Sequence, residues 1–113
     1  MIETHPILGD RILAPIERLT HVRSIVRACH EHWDGEGYPD GKAGEEIPLE
    51  ARIILVCDAF HAMVTDRPYR DRLPEAEARR RLHEGAGTQF DPGVVDVFLR
   101  LEHELAELDR SAA

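Results

Sequence analysis

Ala28-Cys29-His30-Glu31-His32-Trp33-Asp34-Gly35-Glu36-Gly37-Tyr38-Pro39-Asp40-Gly41 is the stretch from which the rest of this sequence is read. Its fourteen residues join a thiol, two imidazoles, three carboxylates from Glu31 to Glu36, two aromatics and three glycines. Upstream, Val22, Ile25, Val26, Cys29 and Trp33 fall at helical spacing, which predicts a helix running into the stretch. Downstream, Pro39, Gly41 and Gly44 exclude regular structure until Pro48 opens another helix. A helix end that delivers Cys29, His30 and Glu31 into a glycine-rich loop suits a metal or phosphate site.

Outward from that centre, prolines mark helix starts and glycines mark helix ends. The pattern predicts a first helix from Pro6 to about Leu13, with His5 at its mouth and Pro15 closing it. A second runs from Thr20, its expected cap, to about His32. The third, Pro48 to about Thr65, is apolar almost all round, which predicts a core helix buried on most sides. A short charged fourth helix, Pro74–Glu84, is stopped by Gly85 and Gly87. The fifth takes Asp91 as its cap and runs to about Asp109. Its Val94, Phe98, Leu101, Leu105 and Leu108 are spaced four, three, four, three. Nothing alternates with period two for long, so the expected fold is all-α, with about five helices and a frayed tail at 111–113.

Composition narrows the function classes. The 113 residues allow one domain, and a net charge of −8 argues against nonspecific binding to nucleic acid or anionic lipid. No apolar run reaches the ~18 residues of a membrane span, and no signal-like leader is visible. Cys29 and Cys57 both lie in helical patterns, which suggests a reducing, cytoplasmic setting without a disulfide framework.

The run His30-Glu31, Asp34-Gly35, Gly37-Tyr38-Pro39 and Gly41 resembles the signature of the HD-GYP domain, a branch of the HD superfamily of metal-dependent phosphohydrolases. Matching elements follow in order: His5-Pro6 with Gly9, Ile47-Pro48-Leu49, Ala51-Arg52-Ile53, Asp58, Asp66 to Arg70, and Phe90-Asp91-Pro92. The resemblance covers residues 1–110 and is to the C-terminal part of that domain, a partial HD-type bundle. The family's His-Asp doublet and its lysine lie upstream of the His-Pro element, where this sequence has four residues.

The resemblance implies a cyclic di-GMP phosphodiesterase ancestry and a cofactor of divalent transition metal: iron, manganese or zinc. It assigns ligand roles to His5, His30 and Asp58. Read from the residues alone, His5 is equally a capping residue and His30 a helix-end cation, whereas a carboxylate on so apolar a helix as Asp58's needs a partner. Cys29 stands where the family has a histidine. It is either a metal thiolate or a small core residue on its helix's apolar stripe. His61 replaces a second aspartate three residues after Asp58, and is either a ligand or that carboxylate's partner. Arg67 and Arg70 correspond to a region that faces cyclic dinucleotide phosphates, with pairing to Asp66 and Asp71 as the alternative. Tyr38 stacks on a guanine or fills the loop. Arg79-Arg80-Arg81 reads as a solvated helix face.

With the upstream ligands absent, the expectation is at most one bound metal and no residue to which a complete catalytic role can be given. The chain by itself is then an inactive interaction or nucleotide-sensing module, with a diguanylate cyclase-type domain as partner for the Gly-Tyr-Pro loop. The alternative is part of a working phosphodiesterase, completed by another chain or by an upstream segment. Apolar surface left bare on the first or last helix predicts a homo-oligomer.

Overall fold

A computed structural model describes the backbone from Thr4 to Ala112 and the side chains of residues 6–105, 107 and 108. Five helices follow in order: α1 (Thr4–Leu13), α2 (Thr20–Ala28), α3 (Leu49–Val64), α4 (Glu75–Gly85) and α5 (Pro92–Ala112). Short 3-10 turns at Glu17–Leu19 and Gly44–Glu46 complete the regular structure, and no strand forms among the described residues. The all-α architecture is as the sequence predicts.

The main core lies where α3, α4 and α5 meet. Val56, Leu82, Phe90 and Val95 are buried there, with Leu55, Phe60, Met63 and Phe98 packed around them. Phe60 and Phe98 meet edge to face at 5.1 Å. Full burial of a side chain such as Val56 or Leu82 contributes roughly 1.5–3 kcal/mol each. A second, smaller cluster of Ala28, Ile47 and Ala51, flanked by Ile25, joins α2 to the start of α3. Beside it, α1 lies against α2 at Gly9, where a Cβ would come within 2.6 Å of Val26 Cγ1. Asp10 then accepts hydrogen bonds from Arg23 (2.8 Å) and Arg27 (3.1 Å), fixing the pair of helices in register.

Several sequence expectations need correction. The central helix is not buried on most sides: Ala51 and Val56 are buried, while Leu49, Ile53, Cys57, Asp58 and His61 are exposed. Only part of its circumference meets α2, α4 and α5, and Leu49, Ile53 and Cys57 border an open apolar cleft. Thr20 does not cap α2. Its hydroxyl donates backward to the Glu17 carbonyl (2.6 Å), because the 3-10 turn before it runs straight into the helix. α2 stops at Ala28 rather than near His32, since Glu31 N–H bonds Ala28 O and turns the chain. Asp91 does cap α5, accepting from Gly93 N–H (2.8 Å) and Val94 N–H (3.4 Å). That helix then continues to Ala112, past the expected end at Asp109.

Candidate functional site

The loop from Glu31 to Glu46 is irregular in sequence yet closely held. Glu31 is 2% exposed, and its carboxylate accepts the backbone N–H groups of Asp40 (2.8 Å) and Lys42 (3.0 Å). A buried carboxylate costs free energy unless its oxygens are satisfied, and here two amides supply that satisfaction. Gly37 lies so close to the preceding turn that a Cβ there would sit 2.4 Å from His32 N and 2.5 Å from His30 O. Only a residue without a side chain permits that approach. Tyr38 N–H bonds His30 O, and the Tyr38 ring stacks on the His30 imidazole, with centroids 5.2 Å apart and planes 10° apart. The peptide bond between Tyr38 and Pro39 is cis.

Three further ties anchor the loop. Trp33 N–H and Asp34 N–H donate to Gln89 O (3.1 Å) and Thr88 O (2.8 Å), and Gly44 N–H donates to Trp33 O (2.9 Å). Arg27 forks onto Asp40 (2.9 and 3.0 Å), holding that carboxyl below its usual range. Arg52 donates to Ile47 O (2.9 Å) and Asp91 (2.7 Å) and lies 5.9 Å from the centre of the Trp33 ring. The last of these couples α3, the loop and the start of α5 through one guanidinium. The sequence placed Glu31 among the loop's carboxylates at a helix end suited to a metal or phosphate, not as a buried acceptor of loop amides, and gave no role to Arg27 or Arg52. An acid immediately before a glycine-rich turn was the available signal for Glu31. Arg52 and Asp91, 39 positions apart, carried no local signal.

The predicted site residues divide into three groups. His30 is exposed and paired to Tyr38 by stacking, so the second of these rings already has a partner within the chain. Cys29, just past the end of α2, lies near enough to Asp58 on α3 for that carboxylate's charge to act on its thiol. Burial, with the Asp58 carboxylate adding to it, pushes the Cys29 thiol up from its ordinary value. The thiol donates to Ile25 O at 3.0 Å, as expected of a packing residue in its neutral form. Asp58 is exposed and has no need of a buried partner, and no hydrogen bond joins it to His61 among the described residues. The side chain of His5 lies outside the described residues.

Among the described residues, no three of His, Cys, Asp and Glu converge closely enough to hold a metal ion. His30, Asp58, Cys29 and His61 thus do not gather three together, and His5, the remaining candidate, has its side chain outside the described residues.

The basic residues also separate. Arg70 turns back on the helix it follows, donating to Ala62 O (2.6 Å) and Asp71 O (3.1 Å), and so closes the end of α3 rather than pairing with Asp66 or Asp71 carboxylates. Arg67 pairs with Arg70 through the backbone (2.9 and 3.1 Å) while its side chain is exposed. Arg80 and Arg81 pair within α4 with Glu77 and Glu84, as a solvated face should. Arg79 departs from that reading: it reaches both carboxylate oxygens of Glu102 on α5 at 3.0 Å.

Comparison with known proteins places this geometry. The family model described as HD domain matches residues 1–94. A cyclic di-GMP phosphodiesterase of Thermotoga maritima is 40% identical over 97% of this chain and 30% of its own length. A 3'3'-cGAMP-specific phosphodiesterase of Vibrio cholerae is 33% identical over 91% of this chain and 20% of its own. The crystal structure of a cyclic GMP-AMP-specific phosphodiesterase of V. cholerae superposes with a TM-score of 0.76 at 27% identity, covering 90% of this chain and 23% of that one. The chain thus spans less than a third of the length of these relatives.

Proposed function

Because the chain belongs to the HD domain family, we propose that it is part of a cyclic dinucleotide phosphohydrolase scaffold, and that these 113 residues alone form an interaction or nucleotide-sensing module without turnover. The observation that supports this reading is that two of the candidate donors are already engaged within the chain, His30 stacked on Tyr38 and the Cys29 thiol donating to Ile25 O. Two-metal hydrolysis of a phosphodiester needs ions about 3.5–4 Å apart to ready the hydroxide and clamp the phosphoryl oxygens. His30 and Asp58, helped by His5, Cys29 or His61, supply at best one such site. Loss of a metal removes several kcal/mol of charge stabilisation, and each ~1.36 kcal/mol is tenfold in rate.

The surface we assign to a cyclic dinucleotide is Arg67 with the Gly-Tyr-Pro loop. Arg67 is the exposed guanidinium of the pair, and Tyr38 must exchange its His30 stack for a base. Arg70 contributes through the turn it holds. The same loop is the surface we assign to a diguanylate cyclase-type partner, because a closely held loop binds without an ordering cost.

A second reading has its own support. The likeness to a protein named a cyclic di-GMP phosphodiesterase extends over 97% of this chain, which fits a portion of a working enzyme completed by another chain or segment. Nucleotide chromatography after long incubation with cyclic di-GMP and manganese or iron separates the two. We expect no product above an Asp58→Ala control. Turnover that disappears in that control would overturn the inactive reading. Elemental analysis should find no more than one transition metal per chain, lost in His30→Ala or Asp58→Ala.

A further inference from the structure

We infer that the Arg27 guanidinium is a clamp that couples the seating of α1 to the held form of the Gly-Tyr-Pro loop, so that loosening either one loosens the other. The inference stands independently of the proposed function. Its first support is how α1 is held. Among the described residues, neither hydrophobic cluster takes a member from α1, and Leu8 and Ile12 of that helix are exposed. It is fastened to α2 at the Gly9 approach and by the two ion pairs of Asp10. A helix that places so little apolar surface in a core, and leans on part-buried polar contacts, is among the first segments to open.

The second support is that one side chain carries both attachments. Arg27 Nη1 donates to Asp10 Oδ2 of α1 at 3.1 Å, while Nε and Nη2 donate to the two carboxylate oxygens of Asp40 at 2.9 and 3.0 Å. All three guanidinium nitrogens are thus engaged, and the planar fork fixes the directions of the two carboxylates together. Each acid is in turn tied into its own surroundings. Asp10 also accepts from Arg23 at 2.8 Å, and the Asp40 N–H is one of the two amides held by the buried Glu31 carboxylate. Asp10, Arg27, Asp40 and Glu31 therefore form a path from α1 into the loop, each joined to the next by a hydrogen bond. Losing Asp40 lets Arg27 turn from Asp10, and losing Asp10 lets it turn from Asp40, so the coupling is reciprocal. Residue 5 lies on α1 and Tyr38 on the loop, so the clamp joins two parts of the candidate site.

Hydrogen exchange of the 113-residue chain, without added metal or nucleotide, tests this. Asp40→Asn should quicken exchange of the α1 amides from Leu8 to Leu13 about two- to fivefold, the worth of a surface pair, while the Val56 and Leu82 amides keep their protection. Asp10→Asn should quicken the Tyr38 and Lys42 amides by a similar factor. Both effects should shrink with added salt and vanish in an Arg27→Gln background. In an Asp10→Asn background, Asp40→Asn should add nothing further to exchange in α1, a comparison that holds even where Arg27→Gln does not fold. An α1 untouched by Asp40→Asn overturns the inference. So does an effect that persists at full size once Arg27 or Asp10 has been replaced, since the coupling then runs by another path.

Discussion

The loop from Glu31 to Glu46 and the distal half of α5 invert the usual expectation about order. The loop has no regular structure beyond one 3-10 turn, yet its backbone is fixed by a buried carboxylate, a glycine contact, a ring stack and bonds to a neighbouring loop. The distal half of α5 has every backbone bond a helix provides, yet its leucines face solvent. Regularity satisfies backbone groups. Only tertiary contact hides apolar surface, and the two requirements are met in different places here.

The sharpest way to break this contrast is Gly37→Ala. The added methyl meets backbone on two sides, which a side-chain rotation cannot relieve. We expect a loss of about 3 kcal/mol in urea denaturation. An unchanged midpoint would mean that the loop is not held at this contact.

Glu31→Ala should follow, at about 2 kcal/mol, because it leaves two amides without their acceptor. The local readout is hydrogen exchange, which should quicken at Asp40 and Lys42 while amides of the α3–α5 core stay protected. Unaltered exchange at those two amides would contradict the role given to Glu31.

Acid comes next. Arg23 and Arg27 lower the Asp10 carboxyl, Arg27 lowers that of Asp40, and Arg80 with Arg81 brings Glu77 down to about 2. A depressed folded-state value means stability present at neutral pH and lost as pH falls through the folded value. The urea midpoint should therefore be flat near neutrality and drop between about pH 4 and 2. These groups lie at the surface, Asp40 exposed and Asp10 and Glu77 partly buried, so solvent screens them and the drop should be shallow and shrink with salt. Asp40→Asn should remove the loop's share of it. A midpoint that rises on acidification would reverse the sign assigned here.

The smallest effect should come from Leu105→Ala. This exposed side chain should change stability by no more than about 0.5 kcal/mol in urea denaturation. A loss as large as a buried leucine's would show that α5 is covered within one chain.

Most of the architecture was legible in the sequence. Proline and glycine positions marked α1, α3, α4 and α5 closely, because those residues restrict the backbone locally, whatever surrounds them. The Asp91 cap was legible for the same reason. The end of α2 was not. Its apolar spacing continues through Trp33, yet the helix stops early, with Glu31 N–H bonded to Ala28 O and the Glu31 carboxylate turned inward to amides nine and eleven residues on. The site was legible as a set of residue types, while its pairings were not. The stripe on α5 shows why: five residues of one spacing divide between core and solvent according to what lies opposite them.

Local chemistry in the sequence thus determined which segments are helical, where the loop falls and which family the chain resembles. Tertiary structure alone decided that Arg70 closes a helix, that Tyr38 lies on His30, that Arg52 meets Asp91, and that α3 keeps one side open. Helix and turn preferences act over a few residues of chain. Burial and side-chain pairing depend on which distant segments arrive, and no window of sequence holds that information.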